Sequence, residues 1–90
     1  LKVCMSEDSF YILTVNPFGV FRFSFDGSLI STISVEGRAE GEYLIPTDIA
    51  YSRKDNVLYI ADIAKGIMKF SSDGAYLSTV SSTTNYKTGN

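Results

Sequence analysis

The sequence predicts an all-β fold built from two four-stranded antiparallel sheets, and three observations lead to this prediction. Short runs of β-forming residues alternate with turn residues along the chain. The segment RFSFDGSLISTIS at 22–34 returns as KFSSDGAYLSTVS at 69–81. In each copy an Asp-Gly pair separates two strand-like runs, which is a strong hairpin signal because both central residues of a type I′ turn have positive φ.

The repeated segments belong to a longer internal repeat. Sliding the sequence against itself by 47 positions aligns 1–43 with 48–90 without a gap, and nine aligned pairs are identical. About three identical pairs are expected by chance at ordinary residue frequencies. Repeats of about 40 to 50 residues are typical of propeller blades and of paired-helix solenoids, and the β-forming runs favour blades. We therefore expect a first blade at 1–34, a linker at 35–47, a second blade at 48–81, and a polar tail or the start of another linker at 82–90.

The predicted strands follow in the same order in both copies. The first copy contains KVCMS, FYILTV, VFRFSF and SLISTIS, and the second contains DIAYS, VLYIA, IMKFS and AYLSTVS. The second run of each copy is almost continuously apolar, as in a strand that neighbouring blades cover on both faces. The fourth runs are rich in Ser and Thr, which is typical of a wet outer edge. Gly19 and Gly66 precede the third runs, where we expect an unusual backbone angle.

The composition argues against several classes of function. The 90 residues carry a net charge of -2 and have a sequence pI near 4.9, so they offer no basic face for a nucleic-acid backbone. We expect no membrane span, because no apolar run approaches the ~20 residues that a spanning helix needs. The chain contains no histidine, which removes the usual catalytic triads and the histidine zinc sites. Cys4 is the single cysteine, and we expect it to be a small buried apolar residue. No catalytic residue, metal or cofactor is therefore expected in this segment.

The second copy resembles a known repeat. The segment IPTDIAYS-x4-VLYIADIAKGIMKFSSDGAYL at 45–77 resembles an NHL repeat, the unit of a class of six-bladed β-propellers. The first copy departs from this pattern at Val15, where the second copy has Asp62. The segment VEGRAEGEYLIPTDI at 35–49 resembles the linker of extracytoplasmic bacterial six-bladed propeller proteins, and this resemblance implies a periplasmic or secreted location.

Two blades cannot close a six-bladed ring. Alone, each blade would expose Phe, Tyr, Ile and Val over an area that monomers rarely expose. Two arrangements remain open: the chain is an excised part of a longer propeller, or three copies associate head to tail into a closed ring. The expected partners therefore include further blades of the same parent protein, or two more copies in a homotrimer.

The mouth of the propeller channel is the expected binding site, since loops carry function on such scaffolds. The loops predicted to lie there span 36–47, 16–19 and 62–66. The candidate ligand-binding residues within them are Phe18, Arg38, Glu42, Tyr43 and Lys65. A structural role is the alternative for each: packing between blades for Tyr43, hydrogen bonds within the linker for Arg38 and Glu42, and cover of the loop surface for Phe18 and Lys65.

The acidic residues are expected to bind backbone amides. Asp26 and Asp73 belong to the Asp-Gly turns. Asp48 and Asp62 lie at strand ends, where a carboxylate caps free N–H groups, and ligand or metal contact is the alternative.

The sequence favours a non-catalytic module that binds a protein, peptide or glycan. The alternative is a propeller lyase or hydrolase whose catalytic residues lie mostly in other blades; NHL-type amidating lyases use a histidine-ligated metal, which these two copies cannot supply. An RNA-binding NHL surface is a weaker alternative, and the acidic charge balance argues against it. The fold alone does not choose among these functions.

Overall fold

The computed structural model describes residues 1–81, which form eight β-strands. The first sheet contains β1 (Lys2–Met5), β2 (Ser9–Thr14), β3 (Gly19–Ser24) and β4 (Leu29–Thr32), and the second contains β5 (Pro46–Ser52), β6 (Val57–Asp62), β7 (Gly66–Ser71) and β8 (Tyr76–Ser81). In both sheets the strands lie in chain order and neighbours pair antiparallel. The predicted all-β fold with two four-stranded sheets is confirmed. The predicted polar tail at 82–90 lies outside the described residues. Within residues 1–81, no helix is long and apolar enough to cross a membrane.

The central strands β2 and β6 show how the apolar runs are used. Their side chains alternate between a buried face and a half-buried face, because alternate residues of a strand point to the same side. Tyr11 and Leu13 of β2, and Leu58 and Ile60 of β6, are at most 1% exposed. Each nearly continuous apolar run therefore gives its strand two apolar faces. One of these faces is buried between the two sheets, and the other is only half-buried. The Ser- and Thr-rich strands β4 and β8 lie at sheet edges, as the sequence predicts.

The two sheets pack against each other through β5, which lies against β1 and β2. The buried side chains form one apolar core, which contains Tyr11, Leu13, Val20, Ile33, Tyr43, Ile49, Leu58, Ile60, Met68 and Phe70. The Tyr11 ring stacks on the Tyr51 ring, with 5.6 Å between their centroids. The Tyr11 hydroxyl donates a hydrogen bond to the carbonyl oxygen of Ser72 in the other sheet, at 2.8 Å. Tyr11 thus joins the sheets by an apolar and a polar contact.

Arg22 also joins the two sheets. Its side chain is only 12% exposed, and its Nε donates to the Ser9 hydroxyl at 3.0 Å. The Nη1 and Nη2 atoms lie 3.3 Å and 3.4 Å from carboxylate oxygens of Asp73 and Asp8, which lie in turns of the second and the first sheet respectively. Because both carboxylates are exposed, water screens the two ion pairs and they contribute little to the stability of the fold. The guanidinium also covers the Tyr11 ring, with its Cζ 5.9 Å from the ring centroid.

The structural register corrects the ungapped alignment of the two copies. Tyr11 pairs with Arg22 across β2 and β3, and Tyr59 pairs with Lys69 across β6 and β7. Tyr59 therefore corresponds to Tyr11, whereas the offset of 47 would assign this position to Leu58 on the opposite face. The cause is loop length: the loop between the second and third strands spans 15–18 in the first sheet and 63–65 in the second. In this register Asp62 corresponds to Thr14, and the predicted correspondence with Val15 is wrong.

The Asp-Gly hairpins form with a different turn from the predicted type I′. Gly27 has a φ of 94°, whereas Asp26 does not have positive φ. The Gly27 N–H donates to the Ser24 carbonyl oxygen and the Ser24 N–H donates to the Ser28 carbonyl oxygen, both at 2.9 Å. The second hairpin has the same arrangement around Gly74, and the fourth strand of each sheet carries a bulge. A turn followed by a glycine and a bulge matches the strand twist, so only the glycine needs positive φ.

The two glycines before the third strands differ. Gly66 has a φ of 112°, as predicted. Gly19 does not have positive φ, so the prediction is wrong there. A Cβ atom on Gly19 would lie 2.7 Å from ring atoms of Phe21, and close packing therefore explains this glycine.

Burial raises the pKa of three groups in or beside the core. Burial raises the pKa of the Cys4 thiol from 9.0 to about 11, with a smaller contribution from the Asp48 carboxylate. Burial is also the main cause that raises the pKa of the Tyr11 and Tyr43 hydroxyls. Cys4 packs against the core and is only half-buried, less than the sequence predicts.

These shifts predict a loss of stability at alkaline pH. Between pH 9.0 and about 11 the folded chain keeps the Cys4 proton that the unfolded chain releases. The stability that the protonated Cys4 thiol contributes is therefore fully present below the pKa of the unfolded chain, and it is lost as pH rises through this window. We expect the urea midpoint of unfolding to fall as pH rises through the window, and the Cys4→Ala variant to lose less. Equal losses in the two proteins would show that the thiol is not responsible.

Candidate ligand-binding groove

The carboxylate of Asp62 organises one end of the second sheet. Its Oδ2 accepts hydrogen bonds from the backbone N–H groups of Leu44 and Ile45, at 2.7 Å and 3.0 Å. Its Oδ1 accepts from the N–H groups of Ala64 and Lys65, at 2.9 Å and 3.0 Å. Asp62 is 4% exposed, so these bonds are shielded from water. The predicted capping role is confirmed, and one side chain fixes the linker beside the β6–β7 loop.

The linker between β4 and β5 forms a closed loop. The Gly37 N–H donates to the Tyr43 carbonyl oxygen at 2.9 Å, and the Tyr43 N–H donates to the Val35 carbonyl oxygen at 3.1 Å. At the tip of the loop, a Glu42 carboxylate oxygen accepts from the Ala39 N–H at 3.0 Å. These bonds close the loop and leave its tip, 38–41, projecting toward β8.

Lys65 connects this tip to the β6–β7 loop. Its ammonium donates to the carbonyl oxygen of Ala39 at 2.7 Å and to the carbonyl oxygen of Glu42. Gly41, with a φ of 84°, brings the tip against the Tyr76 ring, because a Cβ atom there would lie 3.1 Å from a ring carbon. The tip is therefore held from two directions.

An open groove of about 560 Å³ lies between the linker tip, the β6–β7 loop and β8. It is lined by Arg38, Glu40, Gly41, Ala64, Lys65, Tyr76, Leu77, Ser78 and Thr79. Charged, hydroxyl, aromatic and aliphatic groups all contribute to the surface. The groove can therefore offer both polar and apolar contacts to a ligand. Among residues 1–81, no three His, Cys, Asp or Glu side chains cluster closely enough to hold a metal ion.

Comparison with protein families agrees with this architecture. The family model DUF5128, described as a 6-bladed β-propeller, matches residues 1–85. The chain belongs to this family of six-bladed propellers. Its two sheets are therefore two propeller blades. No match to the chain is found among curated proteins.

The structure brings two of the five candidate residues together in the groove. Arg38 is exposed on the linker tip, and Lys65 lines the same groove from the β6–β7 loop. Glu42 supports the tip from behind through its carboxylate and its carbonyl oxygen. Tyr43 is 2% exposed in the core between the blades, as in its alternative structural role. Phe18 packs against the core in the corresponding loop of the first blade and does not line the groove.

The groove lies beside β8, the strand at the opposite edge of the blade from β5. Sequence reasoning places the site at the channel mouth and misses Tyr76, Ser78 and Thr79. The Tyr76 and Thr79 hydroxyls share a hydrogen bond at 2.6 Å. The signal in the sequence is the Ser and Thr content of the fourth runs, which on its own indicates only a wet edge.

Proposed function

We propose that this chain is a non-catalytic binding module of a six-bladed propeller, and that its groove holds an acidic segment of a protein, peptide or glycan. The observation that carries the proposal is the groove itself, which Arg38 and Lys65 line together with the hydroxyl-bearing residues of β8. The residue pattern at 45–77 supports an NHL-type propeller, and the linker pattern at 35–49 supports an extracytoplasmic location.

Arg38 is the residue that selects for an acidic ligand. It is exposed on the tip and makes no ion pair with a residue in the described part of the chain. A guanidinium binds a carboxylate through two parallel hydrogen bonds, which is stronger and more directional than one ammonium contact. The Lys65 ammonium already donates to two carbonyl oxygens and holds the tip in place. The Tyr76 ring and the β8 hydroxyls then contact the body of the ligand.

Titration of the isotope-labelled chain with two probes tests this function. The probes are a capped glutamate-rich pentapeptide and a trigalacturonate, with the glutamine peptide as the neutral control. We expect amide shifts at 38–41, 64–65 and 76–79 with at least one acidic probe, and Arg38→Ala to weaken that binding about tenfold.

Arg53→Ala is the matched control. Arg53 is exposed in the turn between β5 and β6, outside the groove, and its removal changes the net charge equally. Equal weakening by the two variants, shifts outside the groove, or no binding of either acidic probe would contradict the proposal.

A further inference from the structure

We infer that the two outer faces of this two-blade unit are complementary halves of one interface, and that a second copy of the chain covers each of them. The head face is the outer face of the first blade, and it contains Val3, Met5, Phe10, Ile12, Phe21 and Phe23. The tail face is the outer face of the second blade, and it contains Ala50, Tyr59, Ala61, Ile67, Lys69 and Val80. This assembly is independent of the ligand in the groove.

The tail face repeats the first blade's half of the contact between the blades. In the structural register Tyr59 corresponds to Tyr11, and Lys69 corresponds to Arg22. The Lys69 Nζ lies 5.9 Å from the centroid of the Tyr59 ring, and the Arg22 Cζ lies 5.9 Å from that of the Tyr11 ring. Beside Tyr59 is a mainly apolar hollow of about 170 Å³. The tail face thus has the conformation of an interface half, although no described residue covers it.

The head face repeats the second blade's half. Its residues Ile12, Phe21 and Phe23 correspond to Ile60, Met68 and Phe70, which are at most 1% exposed under the first blade. On the head face Val3 and Met5 are 55% and 54% exposed. The Phe10 ring stacks on Phe23, with centroids 5.6 Å apart. A continuous apolar surface of this kind marks an interaction site.

Charge complementarity indicates that the head face of a second copy packs on the tail face. Between the blades, Arg22 Nη1 lies 3.3 Å from Asp73 Oδ1 in the second Asp-Gly turn. The corresponding residues are Lys69 on the tail face and Asp26 in the first Asp-Gly turn. Hydrogen bonds from Ser24 and Ser28 lower the pKa of Asp26, so its carboxylate is charged at neutral pH. Stacking a second copy as the two blades stack places Lys69 of one copy beside Asp26 of the next.

The glycines of the two turns agree with this arrangement. A Cβ atom on Gly74 would lie 2.9 Å from Ile33 Cδ1, so Ile33 occupies the space beside that glycine. The corresponding Gly27 has no atom within 4 Å of the same position. Val80 on the tail face corresponds to Ile33. In the proposed assembly Val80 of one copy fills the space beside Gly27 of the next.

The number of copies follows from the family. Repeating one rotation between identical units gives a closed ring when the rotation divides the circle. The family has six blades and the described residues form two, so a ring built from copies of this two-blade unit contains three of them. Blades of a longer chain would occupy the same faces, and the oligomeric state separates these occupants.

Light scattering after size exclusion of the 90-residue chain tests the assembly. We expect a mass about three times the 9.9 kDa of one chain. Reversing one charge, in Lys69→Glu or Asp26→Lys, is expected to raise the concentration at which the trimer dissociates about tenfold. The double variant, with both Lys69→Glu and Asp26→Lys, exchanges the positions of the two charges. It is expected to recover most of the lost trimer affinity.

Lys54→Glu is the control for a change of net charge, because Lys54 lies in the turn between β5 and β6 and outside both faces. Circular dichroism of each dilute variant shows whether the two-blade unit is folded. A monomer at all concentrations, or a particle that grows without limit, would overturn the proposal. So would a folded double variant that associates no better than the folded single variants.

Discussion

Replacing Asp62 by alanine is expected to lower the free energy of unfolding by about 3 to 4 kcal/mol. The substitution leaves four backbone N–H groups without their acceptor, in the linker and in the β6–β7 loop. A hydrogen bond to a charged group contributes about 1.5 to 3 kcal/mol, but the freed loops recover part of the loss by moving into water. Urea unfolding followed by circular dichroism measures the change.

Two further variants show whether the hydrogen bonds cause this loss. Asp62→Asn keeps one acceptor oxygen and places an NH₂ group against the other pair of N–H donors, so we expect an intermediate loss. Asp55→Ala removes a carboxylate from an exposed turn, where it contacts Ser52 at 3.4 Å, and is expected to cost less than about 1 kcal/mol. If Asp62→Ala costs no more than Asp55→Ala, the four bonds do not stabilise the linker.

The local sequence predicts the strands and hairpins but not their register. The Asp-Gly pairs and apolar runs are properties of a few neighbouring residues, and every predicted strand is present. The correspondence of Tyr11 with Tyr59 depends on a one-residue difference between two loops, which an ungapped alignment cannot show. A shift of one residue moves a side chain to the other face of the sheet. The positions of the faces, and hence the interface halves, required the structure.

The groove was predictable only in part, for a similar reason. Arg38 and Lys65 lie in loops that sequence reasoning assigns to one end of the blades, and the structure brings them together. The approach of the linker tip to β8 depends on the bonds of Lys65 and on the contact of Gly41 with Tyr76. These contacts join residues far apart in the chain, so no local pattern indicates them. The β8 side of the groove could not be derived from the sequence for this reason.

Replacing Tyr11 by alanine is expected to lower the free energy of unfolding by about 3 to 5 kcal/mol, the largest effect that we predict for one residue. Tyr11 is 0% exposed, and its ring stacks on Tyr51 across the contact between the blades. The substitution leaves a cavity there, removes the hydrogen bond to Ser72, and takes away the ring beneath Arg22. Tyr11→Phe keeps the ring and loses only the hydroxyl, so we expect a cost of about 1 kcal/mol. Urea midpoints at low protein concentration measure both changes.

Tyr59→Ala is the matched control, because Tyr59 holds the corresponding position on the open tail face and is only half-buried. In the dilute monomer it removes no contact between the blades, so we expect a change below about 1 kcal/mol. In the proposed trimer the aromatic side chain of Tyr59 would lie against the next copy. Its loss is expected to weaken association while leaving the monomer folded. Equal destabilisation of the monomer by Tyr11→Ala and Tyr59→Ala would mean that the contact between the blades does not hold the unit together. If Tyr11→Ala destabilises the monomer and Tyr59→Ala weakens only the association of copies, the same kind of interface is used within the chain and between copies.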